Sequence, residues 1–217
     1  MPKEKTVAAK PLRRKKGDKR RATQNRIMDA FERVLVRDGV DGLGINAIVS
    51  EAEVGKGLIY HYFGGLDGLA SQWMKRAELA PSEEEIAGMD LEEFRQLPAR
   101  ERLAKIHSNY ATMLRNRPAA CEILAQDLKT GASLPALLED VRMQIGRSHE
   151  ALVTSDPAFA SKENVALIFV LQAAANYLAL RAHASPNYNG VALDTEEGWQ
   201  TVMSMVESVA GGDKSDA

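Results

Sequence analysis

Apolar residues recur at helical spacing along almost the whole of this chain. Near the start, Ile27, Ala30, Phe31, Val34 and Leu35 follow the i, i+3, i+4, i+7, i+8 pattern of one amphipathic helix, and a glycine at position 39 is expected to end it. Similar stripes predict helices over residues 98–115, 118–129, 134–153, 162–184 and 195–209. Strand-like alternation is not sustained in any segment. The sequence therefore predicts an all-α fold.

Three further stripes follow the first helix at short intervals. Apolar residues predict a short second helix over 45–52, which Gly44 can cap, and a third over 56–63 after a break at 53–55. A fourth helix is predicted from the stripe Leu66, Leu69, Ala70, Trp73 and Ala77. Two short helices joined by a tight turn behind a longer one form a helix-turn-helix, whose last helix enters the DNA major groove.

Composition excludes several classes of protein. Cys121 is the only cysteine of 217 residues, so neither an intrachain disulfide nor a cysteine-rich zinc site is available. The basic N-terminus lacks the apolar segment of a secretory signal. The most apolar stretch, 165–180, is shorter than a bilayer span and contains Gln172 and Asn176. We expect a soluble, cytoplasmic protein with no membrane partner.

Charge divides the chain into two unlike parts. Residues 1–76 carry 16 Lys and Arg against 9 Asp and Glu, and residues 77–217 carry 12 against 21. Most of the positive charge lies in residues 10–26, which include Arg20 and Arg21. A basic run alone is often only a solvated tail, but beside a small basic domain it indicates contact with DNA phosphates, where binding releases counterions.

The stretch 54–69, "VGKGLIYHYFGGLDGL", has the composition that a DNA-reading helix needs. Gly55 and Gly57 permit close approach at the helix N-terminus, whose free N–H groups attract phosphate. Lys56 can reach a guanine edge or a phosphate. Three polar aromatic residues, at positions 60, 61 and 62, cannot all point inward on one helix, so at least one hydroxyl or imidazole must face outward.

Residues 48–69, "IVSEAEVGKGLIYHYFGGLDGL", resemble the DNA-binding domain of the TetR family of transcriptional regulators. The matching positions are Ile48, Ala52, Val54, Gly57, Tyr60, Tyr62, Phe63 and Leu69, and Ile59 replaces a leucine. The resemblance covers about residues 20–70, and beyond it only the layout of helices matches. The family's members are all-α proteins with an N-terminal three-helix domain and a larger helical domain for effector binding and dimerisation.

The sequence departs from the family's pattern at four positions. Glu53 stands where the family has a turn glycine, Gly55 replaces a serine or threonine, Leu66 replaces a lysine, and Gly44 replaces a threonine. The last three changes remove groups that contact phosphate in the family. We therefore expect the basic arm to replace these contacts.

The resemblance implies which residues meet DNA. They are Asn46, Lys56, Gly57, Leu58, Tyr60, His61 and Tyr62. For Tyr60 and Tyr62 the alternative is a structural role as half-buried aromatics, and for His61 both roles remain open. The expected organisation is a disordered basic arm over 1–19, a helix-turn-helix domain over 20–65, an effector-binding and dimerisation domain over 66–210, and a flexible tail over 211–217.

The last two predicted helices are typical of a dimer interface. Residues 165–180 are apolar around most of the helix, which is unusual on a monomer's surface, and small alanines would permit close packing. Residues 199–210 form a second stripe. In the family, these two helices of each subunit make a four-helix bundle, so a homodimer is expected. The alternative is the central core helix of a monomer.

A pocket for a small, mainly hydrophobic effector is implied by the resemblance alone. Its candidate lining residues are Trp73, Asn109, Tyr110, Met113, Cys121, Met143, Phe169, Gln172, Asn176 and Tyr177. Gln172 and Asn176 need buried partners, which either a ligand or the other subunit could supply. Cys121 could sense oxidants, although a buried lone cysteine is the commoner case.

No complete nucleotide-binding, zinc-protease or C-x-x-C motif is present, so an enzyme is not expected. The histidines at positions 107, 149 and 183 lie in different predicted helices, and neither a metal nor a cofactor is expected. The function predicted is a dimeric transcriptional repressor that binds a palindromic operator and is released by an effector. The alternative is an architectural DNA-binding protein without effector.

Overall fold

The computed structural model describes residues 16–129, 136–185 and 187–211. In these residues eleven α-helices are joined mostly by short turns, which confirms the all-α prediction. The first helix begins at Lys16, within the stretch predicted as the basic arm. Residues 1–15 of that arm and residues 212–217 of the predicted tail lie outside the described residues.

The N-terminal part of the chain contains the four helices that the apolar stripes predicted. They are α1 (Lys16–Asp38), α2 (Ile45–Ala52), α3 (Gly57–Phe63) and α4 (Leu66–Met74). A single 3₁₀ turn, Val40–Gly42, links α1 to α2. The apolar stripe of α1 is fully buried, because α2, α4 and the later helix α8 pack against it.

Seven helices make up the rest of the described chain. Two short ones that the apolar pattern did not predict come first, α5 (Glu83–Ala87) and α6 (Leu91–Gln96). The others are α7 (Ala99–Arg115), α8 (Pro118–Ala125), α9 (Ala136–Thr154), α10 (Lys162–Ala184) and α11 (Glu196–Gly211). Single 3₁₀ turns follow α8 at Gln126–Leu128 and α9 at Pro157–Phe159.

Among the described residues, the only strands form a small antiparallel hairpin between α10 and α11. Strand β1 (Asn187–Tyr188) pairs with β2 (Val191–Ala192), with Asn187 opposite Ala192. Each strand has only two residues, so no alternating pattern could have predicted it. The Tyr188 ring packs against Tyr177 of α10 at 5.7 Å between centroids.

Helix α7 lies at the centre of these seven helices. It packs against α10, α11 and α5, and buries both its apolar stripe and His107. The Trp199 indole donates a hydrogen bond of 2.9 Å to the Thr112 hydroxyl and so fixes α11 on α7. The buried residues of both domains form one continuous apolar cluster, because α1 contacts α8 and α4 contacts α9.

Candidate nucleic-acid interface and surface cavity

The turn between α2 and α3 accepts the unusual residue that the sequence placed there. Glu53 ends α2 in the left-handed region, at φ 51° and ψ 51°, with an exposed side chain. Its backbone N–H bonds to the Ser50 carbonyl at 3.3 Å, which closes the last turn of the helix. This conformation favours glycine, since a Cβ in it approaches the following carbonyl. The turn therefore has helix-turn-helix geometry despite the missing glycine.

Helix α3 has a buried apolar face and an exposed polar face. Ile59 and Phe63 are buried against the core of the small domain. Tyr60 is 52% exposed and His61 is also exposed, so both a hydroxyl and an imidazole face outward. Lys56 and Gly57, at the start of the helix, are exposed, whereas Leu58 and Tyr62 are half-buried. Polar groups that can contact phosphates and base edges thus line one side of a short helix.

The start of α1 lies beside this helix. The Arg20 guanidinium is 5.4 Å from the centre of the Tyr62 ring, within the range of a cation–π contact. The same ring contacts His61 and Phe63, so Tyr62 links the exposed and the buried faces of α3. Arg21 on α1 and Asn46 on α2 are both exposed. The structure therefore brings Arg20 to the surface predicted from α3.

Two groups of glycines flank α3 for different reasons. A Cβ added at Gly55 or Gly57 would meet no protein atom within 4 Å, and neither residue needs a positive φ. At the other end, Gly65 has φ 137°, and a Cβ at Gly68 would lie 1.8 Å from the Phe63 carbonyl oxygen. The second group is required by the turn into α4. Packing within the chain does not require glycine at position 55 or 57.

The residues predicted to line a ligand pocket are dispersed in the second domain and its junction with α1. Trp73 is buried at that junction, where its indole donates to the Glu32 carboxylate at 3.0 Å. The Asn109 amide donates to the Ile86 carbonyl at 2.9 Å. Met143 and Tyr177 are exposed, and Met113 is a half-buried residue packed on the core. These residues do not share one cavity.

A cavity of about 550 Å³ lies between α9, the 3₁₀ turn after it and α10. Phe169 and Gln172, two of the predicted residues, line it, and Asn176 lies next to it through a 3.5 Å contact with the Gln172 amide. The lining residues that the sequence did not predict include His149, Val153, Phe159 and Ile168. His149 and Val153 are four residues apart, so their spacing in the sequence predicts that they share one face of α9. Which residues of α10 that face contacts depends on the tertiary fold.

His149 belongs to a buried polar cluster beneath the cavity. Its Nε2 is 3.3 Å from Nε2 of His107, and its ring lies 5.0 Å from the predicted residue Tyr110. Nδ1 of His107 is 2.9 Å from the Leu103 carbonyl oxygen. Burial, together with the neighbouring His107, lowers the pKa of His149 to about 3, and burial also lowers the pKa of His107. Both rings are therefore neutral at pH 7.

Cys121 is buried away from the cavity. Its Sγ donates to the Leu114 carbonyl at 3.2 Å, and burial, with a smaller contribution from Glu122, raises the pKa of its thiol to about 12. Since the thiolate is the reactive form, this cysteine has the environment of a packing residue rather than of an oxidant sensor. Among the described residues no group of three or more His, Cys, Asp or Glu side chains is arranged to hold a metal ion.

Helices α10 and α11 carry a broad exposed apolar surface. It comprises Val165, Phe169, Val170, Tyr177, Met205 and Val209, which are between 45% and 76% exposed. Within the described residues, α10 is also the one helix long and apolar enough to cross a membrane, by length and composition alone. Only 22% of its most apolar stretch is buried, so α10 is not the enclosed core helix of a monomer. Large apolar side chains exposed on neighbouring turns of two helices are typical of an interaction surface.

Comparison with known proteins identifies the small domain. Residues 27–72 match the family model described as "Bacterial regulatory proteins, tetR family". Comparison with curated proteins gives no significant match.

Solved structures extend the likeness to most of the chain. A TetR-like transcriptional regulator from Rhodococcus sp. RHA1 is 20% identical, with a TM-score of 0.57 over 87% of this chain and 93% of that one. NalD, the secondary repressor of the MexAB-OprM multidrug efflux pump in Pseudomonas aeruginosa, is 15% identical. The TM-score is 0.55, and the match covers 87% of this chain and 97% of NalD. The fatty acid degradation regulator FadR from Bacillus halodurans is 13% identical. The TM-score is 0.55, and the match covers 88% of this chain and 99% of FadR.

These likenesses agree with the geometry of α2, the turn and α3, and they confirm the resemblance that the sequence indicated. At such identities the solved structures establish the fold, and the family model establishes the small domain. Residues 27–72 therefore match the model of the tetR family of bacterial regulatory proteins, and the chain has the fold of the TetR-like transcriptional regulators to which it is similar.

Proposed function

We propose that this chain is a cytoplasmic homodimeric repressor, which binds a palindromic DNA operator and is released from it by a small, mainly hydrophobic effector. The observation that carries the proposal is the exposed polar face of α3, from Lys56 to His61, beside the basic start of α1. Of the similar structures, NalD is described as a repressor, and this favours repression over activation here.

The glycines at the start of α3 support DNA contact. Neither Gly55 nor Gly57 has a packing neighbour or a backbone conformation that requires glycine. Glycine is also unfavourable in a helix relative to alanine. No contact within the chain therefore requires glycine at these two positions. We propose that the DNA backbone occupies the open space beside them, close to Lys56 and the N–H groups of α3.

The test compares substitutions that leave the fold intact. Gly57→Ala should weaken binding to DNA from the chain's own upstream intergenic region without lowering the free energy of unfolding, because only the bound state lacks room for a methyl group. Gly146→Ala is the matched control, since Gly146 lies in α9 and also has open space at its Cβ. Lys56→Ala should reduce both affinity and its dependence on salt. Equal binding of all variants to specific and scrambled DNA would contradict sequence reading by α3.

The exposed surface of α10 and α11 supports the dimer. A second copy presenting the same two helices would remove it from water, and a two-fold dimer also matches the symmetry of a palindromic operator. Val170→Glu, at a position 61% exposed on α10, should convert the dimer to a monomer in sedimentation experiments. Val36→Glu is the control, because Val36 is exposed on α1 beside Arg33 and Arg37.

Two results would contradict the dimer. One is a wild-type chain that sediments as a monomer at micromolar concentration. The other is a chain that stays soluble only with phospholipid vesicles, which would assign the apolar surface of α10 to a membrane.

The cavity between α9 and α10 supports an effector. Phe169 lines it and is also part of the apolar surface assigned to the dimer, so a molecule in the cavity would touch a residue of the interface. A compound that raises the melting temperature of the chain and releases it from the operator would establish the response. If operator binding is specific but compounds neither stabilise the chain nor release it, the architectural alternative is favoured.

A further inference from the structure

The first turns of α1 precede its buried part. The helix begins at Lys16, but among the residues described on it Ile27 is the first that is buried. Residues 17–22 are all exposed. At 1.5 Å for each residue, about 16 Å of helix comes before the first buried residue. A side chain on this segment has a fixed position only if something outside α1 holds it.

Tyr62 of α3 holds one such side chain. The Arg20 guanidinium carbon lies 5.4 Å from the centre of the Tyr62 ring, within the range of a cation–π interaction. The ring is itself held, because Tyr62 is half-buried, packs on the apolar core and is adjacent to the buried Phe63. The core of the small domain therefore reaches Arg20 through an aromatic ring.

This contact leaves the charge of Arg20 uncompensated. Within the described part of the chain no carboxylate pairs with Arg20, whereas Arg33 and Arg37 further along α1 both pair with Glu51. A carboxylate partner would cancel the positive charge of a guanidinium, but an aromatic ring only holds it in place. A guanidinium that is both positioned and uncompensated is suited to a phosphate.

The contact lies at the edge of the exposed face of α3. The ring of the exposed His61 is 5.0 Å from the Tyr62 ring, on which the Arg20 guanidinium lies. Phosphates line both edges of the major groove that a recognition helix enters. Arg20 is therefore beside the surface proposed to meet DNA, at the side where a groove edge would lie.

We propose, resting on the DNA binding proposed above, that Tyr62 is a positioning residue. Its ring holds the Arg20 guanidinium beside α3, and Arg20 contacts a phosphate at the edge of the groove that α3 enters. Tyr62 acts through its ring and not through its hydroxyl, which differs from the direct DNA contact that the TetR resemblance implies. Since every base pair has the same phosphates, this contact adds affinity and salt dependence but no sequence specificity.

A double-mutant cycle tests the pair. Dissociation constants of the full chain are measured at several salt concentrations, on DNA from its own upstream intergenic region and on a scrambled duplex of equal length. Arg20→Ala should weaken binding to both and reduce the logarithmic salt slope by about 0.9, the value for one phosphate. Tyr62→Leu should lower affinity about two- to fivefold, the worth of an exposed cation–π contact. With Tyr62→Leu present, Arg20→Ala should cost less affinity by the same factor.

Two further variants separate positioning from packing and from a hydroxyl contact. Tyr62→Phe keeps the ring and its packing, so it should bind DNA like the wild type, and its result stands even if Tyr62→Leu is less stable. Arg21→Ala is the matched control, because Arg21 is the next residue of α1 and is also exposed. Its effect on affinity should be the same with and without Tyr62→Leu.

The outcomes distinguish this inference from the proposed regulator. Binding by Tyr62→Phe as weak as that by Tyr62→Leu would overturn the inference, since the hydroxyl would then make the contact. Additive effects of Arg20→Ala and Tyr62→Leu, or equal coupling of Tyr62→Leu to Arg20→Ala and Arg21→Ala, would also overturn it. Equal wild-type binding to both DNAs would contradict sequence reading alone, and the cycle would still decide the role of Tyr62. Binding of neither DNA would overturn both proposals.

Discussion

The buried histidine pair makes stability depend on pH. Burial is the main reason that the pKa of His149 falls to about 3, and an unfolded histidine has a pKa of about 6.5. The unfolded chain therefore binds a proton that the folded chain excludes, so stability is complete above pH 6.5 and decreases as the pH falls. For His149 alone we expect a loss of about 2 kcal/mol between pH 7 and pH 5.

Chemical denaturation at several pH values tests this expectation. His149→Phe should make the dependence between pH 7 and pH 5 shallower, since one of the two buried histidines that titrate is gone, while His107 remains. His61→Gln, at an exposed histidine, should leave it unchanged. A wild-type stability equal at pH 5 and pH 7 would show that the pair accepts protons in the folded chain.

Glu53 offers a second prediction at this scale. A residue with a side chain in the left-handed region is strained, and Glu53 is exposed, so its side chain contributes little packing. We expect Glu53→Gly to raise the free energy of unfolding by about 0.5–1 kcal/mol. Ser50→Gly, at an exposed position within α2, should lower it by a similar amount. If both Glu53→Gly and Ser50→Gly lowered the free energy of unfolding, Glu53 would not be strained in the left-handed region.

At the scale of elements, the junction between α3 and α4 leaves no room for a methyl group. A Cβ at Gly68 would meet the backbone oxygen of Phe63, which cannot move without shifting the end of α3. We expect Gly68→Ala to cost about 2 kcal/mol of stability or more, as overpacking typically does. Thermal denaturation against Gly146→Ala, which adds the same methyl group in open space, measures the difference.

The predicted basic arm gives a prediction about DNA binding. Residues 3, 5, 10 and 13–15 are lysine or arginine, and the sites where the TetR pattern has phosphate-contacting groups hold Gly44, Gly55 and Leu66. If the arm replaces those groups, removing residues 1–15 should lower affinity for any DNA sequence and reduce the salt dependence of binding. The logarithmic slope should change by about 0.9 for every phosphate that the shortened chain no longer neutralises. An unchanged slope would contradict this role.

Sequence periodicity predicted the long elements well because each buries a regular stripe. Helix α10 has the predicted bounds, since Ser161 caps its start and its apolar residues are continuous. Helices α5 and α6 are too short to show a period. Their start signals were present nevertheless: Ser82 and Glu85 form a capping box, and Asp90 caps α6.

The two candidate sites also differ in how far the sequence predicts them. The exposed face of α3 follows from local spacing, since burying Ile59 and Phe63 turns Tyr60 and His61 outward. The cavity does not, because His149 and Gln172 are on different helices and meet only when α9 packs beside α10. Spacing within one helix cannot show which residues of another helix it will face.

At the scale of the whole molecule, the two predicted domains share one buried core. Helix α1 packs against α2 and α4 and also against α8, and Lys129 pairs with Asp41 at 2.8 Å across the boundary. We therefore expect a single cooperative unfolding transition, in which the calorimetric and van't Hoff enthalpies of the chain agree. Separate transitions for the small and the large domain would show that their shared core is too weak to couple them.

The exposed apolar surface of α10 and α11 has a consequence for gene control. If only a second copy covers it and only the pair reads the operator, active regulator forms from two chains and its amount depends on how many are present. Well below the concentration at which copies pair, operator occupancy then rises with the square of the chain concentration. A cell could silence this regulator by halving its synthesis twice, which would leave about one sixteenth of the occupied operator.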